Sequence, residues 1–369
     1  MSRAREIADL GSPAASGLSN RNLIINGGMR IAQRGTSATN SGYGTVDRTK
    51  PEFSGASVTQ TQEALTSGGP YDDGHRYFLR CTNTSVSSAT SAYLQINQEI
   101  EAQNVATSGW NFTSTSSYVT MSFWARSSLA GTYYVLYKTQ DGTRQTFSSA
   151  FTLVANTWKK ISVTTPGNSN ITIDHDNGHG LRCYVVPYYG TDYTASGHTS
   201  DAWQTLDSAN QLPDYAQNWA NTASATFDLT GWQVEVGTSA TPFEHPRSYG
   251  DELLRCQRYY EVIQVANYFV TGNSYAANAQ NCAPMFFRTT KRAIPTVTYP
   301  TIGTTSGTIG VTGPTAGYVT QGSVLRTYAT TEWFAIYNST GDGYSGMTAG
   351  GVCQIYSYGY NDIKVESEL

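Results

Sequence analysis

The chain has 369 residues, enough for two domains of ordinary size with short extensions. Only 14% of the residues are charged, the formal net charge is −4, and lysine and arginine form no block longer than a pair. This excludes the basic surface of a nucleic-acid-binding protein. The 26 tyrosines, 35 glycines and many small polar residues favour twisted β-sheets over helical bundles. No apolar run is long enough to span a bilayer, so membrane insertion is not expected.

Residues 1–20 are predicted to be a separate N-terminal arm. Its first half can form about two helical turns, and a linker of small residues follows. A helix this short is marginal in water unless another surface packs on it. Because two apolar side chains are flanked by two basic ones, docking onto another protein is favoured over a frayed tail. The docking residues would be Arg3, Arg5, Ile7 and Leu10.

Residues 21–42 are predicted to be a connecting hairpin, or neck. The segment NLIINGGMRIAQRG has apolar stretches on both sides of Gly27 and Gly28. A tight hairpin turn requires positive φ, which glycine adopts without steric cost. The turn is therefore expected at this glycine pair.

Residues 43–245 are predicted to be a β-sandwich. Short stretches of alternating apolar and polar residues recur there, separated by turn signals such as Asp141-Gly142 and without helical periodicity between them. About eight strands in this arrangement indicate an all-β fold with jelly-roll topology. The clearest strands are expected at residues 76–82, 92–96, 118–126, 132–137, 159–164, 182–186 and 231–236.

Residues 246–264 are predicted to be a capped helix that follows the last strand of the sandwich. Ser248 can act as N-cap, and Asp251 and Glu252 fall in the first turn, where the helix dipole favours negative charge. Four side chains then recur at the spacing of a coiled-coil a/d seam, which favours a trimer interface. The alternative is a single helix packed on its own domain. The four residues are Leu253, Cys256, Tyr260 and Ile263.

Residues 265–369 are predicted to be a smaller C-terminal β-domain. Alternating patterns indicate strands at residues 331–338 and 350–358. The five cysteines of the chain are scattered and form no CxxC motif, which favours buried free thiols over disulfides or a zinc site.

An aromatic cluster within residues 184–222 is the candidate ligand-binding site. Aromatic faces stack on the apolar faces of sugar rings, while amide and carboxylate groups bond the sugar hydroxyls. Long segments with little strand pattern, such as residues 196–222, are often functional. The alternative for each ring is a place in the core or at a subunit contact. The candidate glycan-binding residues are Tyr188, Tyr189, Tyr193, Trp203 and Trp219.

No cofactor or metal is expected, and no catalytic residue is predicted. Asp174 and Asp176 are similar to the start of a calcium loop, but the bidentate glutamate of such a loop is absent. A turn explains them without a metal, and a structural calcium ion is the weaker alternative. A glycan hydrolase would need two carboxylates across a cleft, and no acidic residue has an evident partner. The chain is therefore predicted not to be an enzyme.

Two segments resemble the tail-fibre and virion appendage proteins of tailed bacteriophages. One is the run Asn-Gly-x-Met-x-Ile-x-Gln-Arg-Gly at residues 26–35. The other is the strand Gln-Val-Glu-Val-Gly at residues 233–237, followed by Pro-Phe-Glu at 242–244 and Glu-Leu-x-x-Cys-x-Arg-Tyr-Tyr at 252–260. In addition, the strand order predicted for residues 45–245 is similar to that of carbohydrate-binding-module-like sandwiches.

This resemblance implies a homotrimer in the virion, made in the host cytoplasm, with three helices meeting at a threefold axis. The N-terminal arm would dock on another phage structural protein, such as a tail adaptor, nozzle or capsid protein. The chain would attach the particle to a host surface glycan through weak contacts that multivalency strengthens. Two alternatives stay open: a structural capsid, tail-fibre or decoration protein without receptor binding, and a glycan-depolymerising tailspike.

Overall fold

The computed structural model describes residues 21–303, 307–312 and 325–369. Antiparallel strands predominate in these residues and the helices are short, so the predicted all-β fold is confirmed. Among the described residues, no helix has the length and apolar character that crossing a membrane requires. The predicted docking residues of the N-terminal arm fall outside the described ranges; they are Arg3, Arg5, Ile7 and Leu10.

The chain divides into two compact units, one ending at Glu252 and one covering Leu253–Glu368. The strands of the first unit are, in chain order, β1 (Ser37–Ala38), β2 (Lys50–Ser54), β3 (Ser57–Ala64), β4 (Tyr77–Ser85), β5 (Tyr93–Glu101), β6 (Tyr118–Ser127), β7 (Gly131–Thr139), β8 (Gln145–Leu153), β9 (Lys159–Pro166), β10 (His179–Tyr189), β11 (Trp203–Thr205) and β12 (Thr226–Val236). Two short helices accompany them, α1 (Gly69–Asp72) and α2 (Ala102–Ala106).

These strands form two antiparallel sheets with a shared core. Sheet A has the order β1-β3-β4-β12-β6-β9, and sheet B has the order β11-β8-β7-β10-β5-β2. Successive strands from β4 onward cross from one sheet to the other, except for the hairpin β7–β8 and the short edge strand β11 that follows β10. The four-strand blocks β4-β12-β6-β9 and β5-β10-β7-β8 have the strand order of a jelly roll. The predicted topology is therefore present in this unit.

The core of the sandwich lies between the two sheets. Along β6, the inward residues Val119, Met121 and Phe123 are fully buried, as their alternation with polar neighbours predicts. Burying such side chains contributes roughly 1.5–3 kcal/mol each. Strand β8 was not among the clear predictions, because its buried Phe147 and Phe151 are separated by Ser148, Ser149 and Ala150 rather than by a regular polar–apolar alternation.

The prediction of a hairpin at Gly27 and Gly28 is wrong in two respects. The flanking strands are absent, and glycine is required there for a reason other than positive φ. A turn is present, since the Met29 N–H donates to the Asn26 carbonyl at 2.9 Å, but positive φ falls on Asn26 (59°) and Met29 (56°). No strand of the structure includes residues 21–36. A Cβ on Gly27 would lie 1.9 Å from the Trp232 carbonyl oxygen, so glycine is needed for close approach to β12.

The predicted seam of a long helix is also wrong. Helix α3 covers only Tyr249–Gln257, and its start is as expected, since the Asp251 N–H donates to Ser248 Oγ at 3.0 Å. Tyr260 and Ile263 lie in the following strand, β13 (Tyr260–Ala276), so they cannot continue a helical face. Cys256 and Tyr260 are buried within this chain, and Leu253 and Ile263 are partly buried. These four residues therefore form no a/d seam.

The second unit is a single eight-stranded sheet in its described residues. Its remaining strands are β14 (Ala279–Cys282), β15 (Met285–Phe286), β16 (Thr296–Thr298), β17 (Ile309–Thr312), β18 (Arg326–Ala329), β19 (Trp333–Asn338) and β20 (Val352–Glu366). The main path is β15-β19-β14-β13-β20-β16, with β17 on β20 and β18 on β19. The predicted strands near 331–338 and 350–358 correspond to β19 and β20. All five cysteines of the chain are free and buried, as predicted.

Candidate functional site

A pocket of about 230 Å³ opens on the face of sheet B that points away from the core. It is smaller than the ~300–1,000 Å³ typical of sites for drug-sized ligands, so it suits one unit of a larger ligand. Three strands supply its floor and the segment after β10 supplies its wall. The lining residues are Tyr93, Gln95, Lys138, Tyr189, Tyr193 and Gln211.

Three tyrosine rings meet in this pocket. The Tyr93 and Tyr193 rings are perpendicular, with centroids 5.7 Å apart, and the Tyr189 and Tyr193 centroids are 5.6 Å apart. The Tyr189 hydroxyl donates to Gln95 Oε1, and Gln95 Nε2 donates to Glu52 Oε2 at 2.7 Å. This chain of hydrogen bonds holds the Tyr189 ring in place before a ligand arrives, which lowers the entropy cost of binding.

A β-bulge in β10 decides which tyrosine reaches the pocket. Before it, Tyr184 and Val186 point away from the core and Val185 points into it. The register with β5 then shifts between Val185 and Tyr188. After the shift Tyr188 points into the core and Tyr189 points to the pocket. The extra residue of a bulge thus reverses the alternation of the strand.

Lys138 on β7 brings the positive charge of the pocket. Its Nζ lies 4.7 Å from the centroid of the Tyr184 ring and 6.0 Å from that of Tyr189, within cation–π range. Burial, followed by the nearby charge of Arg182, lowers the pKa of Lys138 to about 8. The side chain therefore remains mainly protonated at neutral pH.

A ladder of charged side chains borders the pocket on β2, β5 and β10. Lys50 Nζ lies 3.1 Å from Glu52 Oε1 and 3.5 Å from Glu99 Oε1, and His179 Nδ1 lies 2.7 Å from Glu99 Oε2. Burial acts to raise the pKa of Glu99, but the His179 hydrogen bond and the charges of Arg182 and Lys50 outweigh it, so this pKa lies below its ordinary value. Glu99 is thus unsuited to the role of a protonated general acid.

Only two of the five predicted glycan-binding residues lie together in the pocket. Tyr189 and Tyr193 line the pocket, whereas Tyr188 is 9% exposed and packs in the core. Trp219 is 0% exposed, so the prediction that it stacks on a ligand is wrong. Trp203 is partly buried away from the pocket lining, where its Nε1 donates to the Pro166 carbonyl at 2.6 Å.

Sequence reasoning missed four of the lining residues, Tyr93, Gln95, Lys138 and Gln211. The signal was available for the first two, because Tyr93, Gln95 and Asn97 alternate with the core residues Leu94 and Ile96 along β5. Outward aromatic and amide residues on a strand of a sandwich are candidates for a ligand face.

The acidic turn at Asp174 and Asp176 has local hydrogen-bond roles. Asp141 Oδ2 accepts the Asp174 N–H at 3.0 Å, and Asp176 Oδ1 accepts the Gly178 N–H at 2.8 Å. In the described ranges, no group of three or more histidine, cysteine, aspartate or glutamate side chains is placed to hold a metal ion. These contacts account for the two aspartates as turn formers.

No protein-family model matches the sequence, and no curated protein matches it. Several solved structures are similar at low identity. One is the domain of bacteriophage CBA120 tailspike protein 4 described as enzymatically active: identity is 10%, the TM-score is 0.33, and the match covers 59% of this chain and 22% of that chain. This chain therefore spans about a fifth of that tailspike chain.

Two carbohydrate-binding modules are also similar. A family 30 module is 11% identical with a TM-score of 0.28, and the match covers 64% of this chain and 96% of the module. TmCBM61 in complex with β-1,4-galactotriose is 12% identical with a TM-score of 0.25, and the match covers 59% and 99% of the two chains. All three TM-scores are below 0.5, and the jelly-roll architecture itself rests on the strand order described above.

Proposed function

We propose that the first unit is a glycan-binding module and that the pocket on sheet B holds one sugar residue. The observation that carries this proposal is the cluster of Tyr93, Tyr189 and Tyr193 around a small pocket that also contains amide groups. Tyrosine faces stack on the apolar face of a pyranose, and Gln95 and Gln211 offer hydrogen-bond donors and acceptors to its hydroxyls.

A single small pocket binds weakly, so the proposed function includes many copies acting together. We place the chain in a phage virion appendage of tail-fibre type, as a homotrimer that attaches the particle to a host surface glycan. Support comes from the sequence resemblance at residues 26–35 and 233–260. Several pockets per assembly raise the effective concentration of each further contact without new contacts in any one site.

The decisive experiment measures binding of the full chain to a host polysaccharide and to a glycan array. Tyr193→Ala removes a partly exposed ring that lines the pocket. Tyr360→Ala removes a tyrosine outside the pocket that is 80% exposed. Loss of glycan signal in the first variant and retention in the second supports the proposal. A chain that binds no glycan, or a Tyr193→Ala variant that binds as the parent does, contradicts it and favours the purely structural alternative.

A further inference from the structure

Lys138 has an unusual position for a lysine. Its Nζ lies over the rings of Tyr184 and Tyr189. In the described part of the chain this ammonium group has no hydrogen bond and no carboxylate at ion-pair distance, and its other contacts are aromatic. Lys138 is partly buried. A ligand in the pocket would complete the removal of its ammonium group from water, which is unfavourable without a counter-ion. A ligand that brings a negative charge would relieve that cost.

The nearest carboxylates are occupied by other partners. Glu52 lies 3.1 Å from Lys50 Nζ and accepts hydrogen bonds from Gln95 at 2.7 Å and Asn97 at 2.8 Å. Glu99 lies within ion-pair distance of Lys50, His179 and Arg182, as described for the charged ladder. Neither glutamate lines the pocket. Neither glutamate therefore forms an ion pair with Lys138.

Other charges around Lys138 are mainly positive. Arg182 is its direct cross-strand neighbour on β10, and Arg144 also acts to lower the Lys138 pKa, whereas Glu52 acts to raise it. Burial is the largest cause of the lowered value. Because Lys138 is the only charged residue that lines the pocket in the described part of the chain, the pocket favours an anion over a cation.

The uncharged polar groups of the pocket suit a sugar that carries the anion. Gln211 is 7% exposed, and its Nε2 donates to the Ser208 carbonyl at 2.8 Å. Its Oε1 is buried and has no partner among the described residues. This oxygen can accept from a sugar hydroxyl while the Lys138 ammonium group faces a charged substituent of the same ring.

We infer that the pocket selects saccharides that carry a carboxylate, and that Lys138 pairs with that carboxylate. The inference rests on the proposed glycan-binding function and adds the charge of the ligand to it. A neutral sugar in the same place would cover the ammonium group without pairing it. Sites built to pair a polar or charged group reject an analogue that lacks its partner.

The test uses polygalacturonate and alginate as probes, each compared with its carboxyl-reduced form, in which the linkages are the same and the charge is gone. Dextran sulfate is the third probe, because it separates a carboxylate preference from attraction to any polyanion. Lys138→Met keeps the aliphatic stem against Tyr184 and removes the charge. Lys159→Met makes the same change at an exposed lysine outside the pocket. Tyr193→Ala reports on the pocket itself, and affinity electrophoresis of the full chain gives the readout.

The expected result is at least about tenfold tighter binding of a carboxylate polymer than of its reduced form. Lys138→Met abolishes this difference, Lys159→Met retains it, and Tyr193→Ala weakens binding of both forms. If the parent binds a carboxylate polymer and its reduced form equally, and Tyr193→Ala loses this binding, the carboxylate preference is overturned. The glycan-binding proposal is then retained. Dextran sulfate bound as tightly as the carboxylate polymers also overturns the preference. Failure to bind any of these polymers contradicts the carboxylate preference, and it contradicts the glycan-binding proposal as well only when the host polysaccharide and the glycan array also give no signal.

Discussion

The ring of Tyr93 lies perpendicular to the ring of Tyr193, with their centroids 5.7 Å apart. Tyr93 belongs to strand β5, whereas Tyr193 belongs to the irregular segment after β10. Strand and segment therefore meet at an aromatic contact, and such edge-to-face pairs contribute roughly 0.5–1.5 kcal/mol beyond their buried area. The contact keeps the wall of the pocket against its floor.

Replacing Tyr193 is expected to affect binding much more than folding. Because its ring is only partly buried, Tyr193→Ala should lower the free energy of unfolding by about 1–2 kcal/mol while glycan binding falls about tenfold or more. Trp219→Ala, at a fully buried ring, should cost about 3–5 kcal/mol of stability. Urea denaturation and affinity electrophoresis of both variants check this contrast. A folded Trp219→Ala protein of parental stability would contradict the assignment of that ring to the core.

Binding of carboxylate glycans is expected to weaken as the pH rises through about 8, the pKa of Lys138. The groups that face its ammonium are Arg182, Arg144, Glu52, Tyr184 and Tyr189. The folded-state pKa of Lys138 is lower than its ordinary value, so deprotonation removes the positive charge well below pH 10. Affinity measured from pH 6.5 to 9.5 should fall above pH 8 in the parent and stay level in Lys138→Met. A parental profile that is flat to pH 9.5 would argue against Lys138 as the partner of the carboxylate.

Two adjacent glycines are expected to respond in opposite ways to the same substitution. Gly27→Ala places a Cβ 1.9 Å from the Trp232 carbonyl oxygen, a backbone atom of β12, and should cost about 2 kcal/mol or more. Gly28→Ala is the matched control, since its nearest neighbour would be 3.9 Å away and its φ is not positive. Thermal unfolding of the two variants gives the comparison. Equal stability of both would contradict the docking of this segment on the sandwich.

His75 is expected to make the first unit sensitive to acid. It is 3% exposed, and burial, followed by the charge of His245, lowers its pKa to about 4. The unfolded chain takes up the proton first as the pH falls below about 6.5, so stability decreases from there to about pH 4, on the order of 3 kcal/mol in all. His75→Gln should flatten this part of the stability profile, and His175→Gln, at an exposed histidine, should not. Urea midpoints at pH 7, 5.5 and 4.5 distinguish the two.

The sandwich was accessible from sequence because its signals are local. Seven strands could be placed from the alternation of residues such as Val119, Met121 and Phe123. The helix start at Ser248 was likewise a local cap. The end of the helix could not be placed from sequence, because Tyr260 and Ile263 fit a helical seam or a strand equally well. Their pairing with Glu366 and Ile363 of β20, about a hundred residues later, decides for the strand.

The candidate site was less accessible, because it depends on register between strands that are distant in sequence. Nothing local distinguishes Tyr188 from Tyr189, and only the register with β5 assigns the first to the core. Lys138 was not predicted as a site residue, because the feature that distinguishes it is the lack of an ion-pair partner for its ammonium group. A sequence does not show which charged groups are paired. Trp219 lies in a segment whose composition is typical of a loop. The burial of its ring follows from tertiary packing alone.

The bulge at Val186 and Pro187 makes the register of β10 on β5 the determinant of which tyrosine ring lines the pocket. Proline has no N–H to give to the ladder, so it suits the irregular position. If the same residues paired with β5 as a regular strand without the bulge, every later side chain would exchange between the two faces. Tyr188 would then face the ligand and Tyr189 the interior, with no change in residue type. Deleting one residue of the bulge would instead leave Tyr188 in the core and Tyr189 at the pocket. Homologues whose strands differ by one residue can therefore keep the same ring at the pocket when a bulge absorbs the added residue.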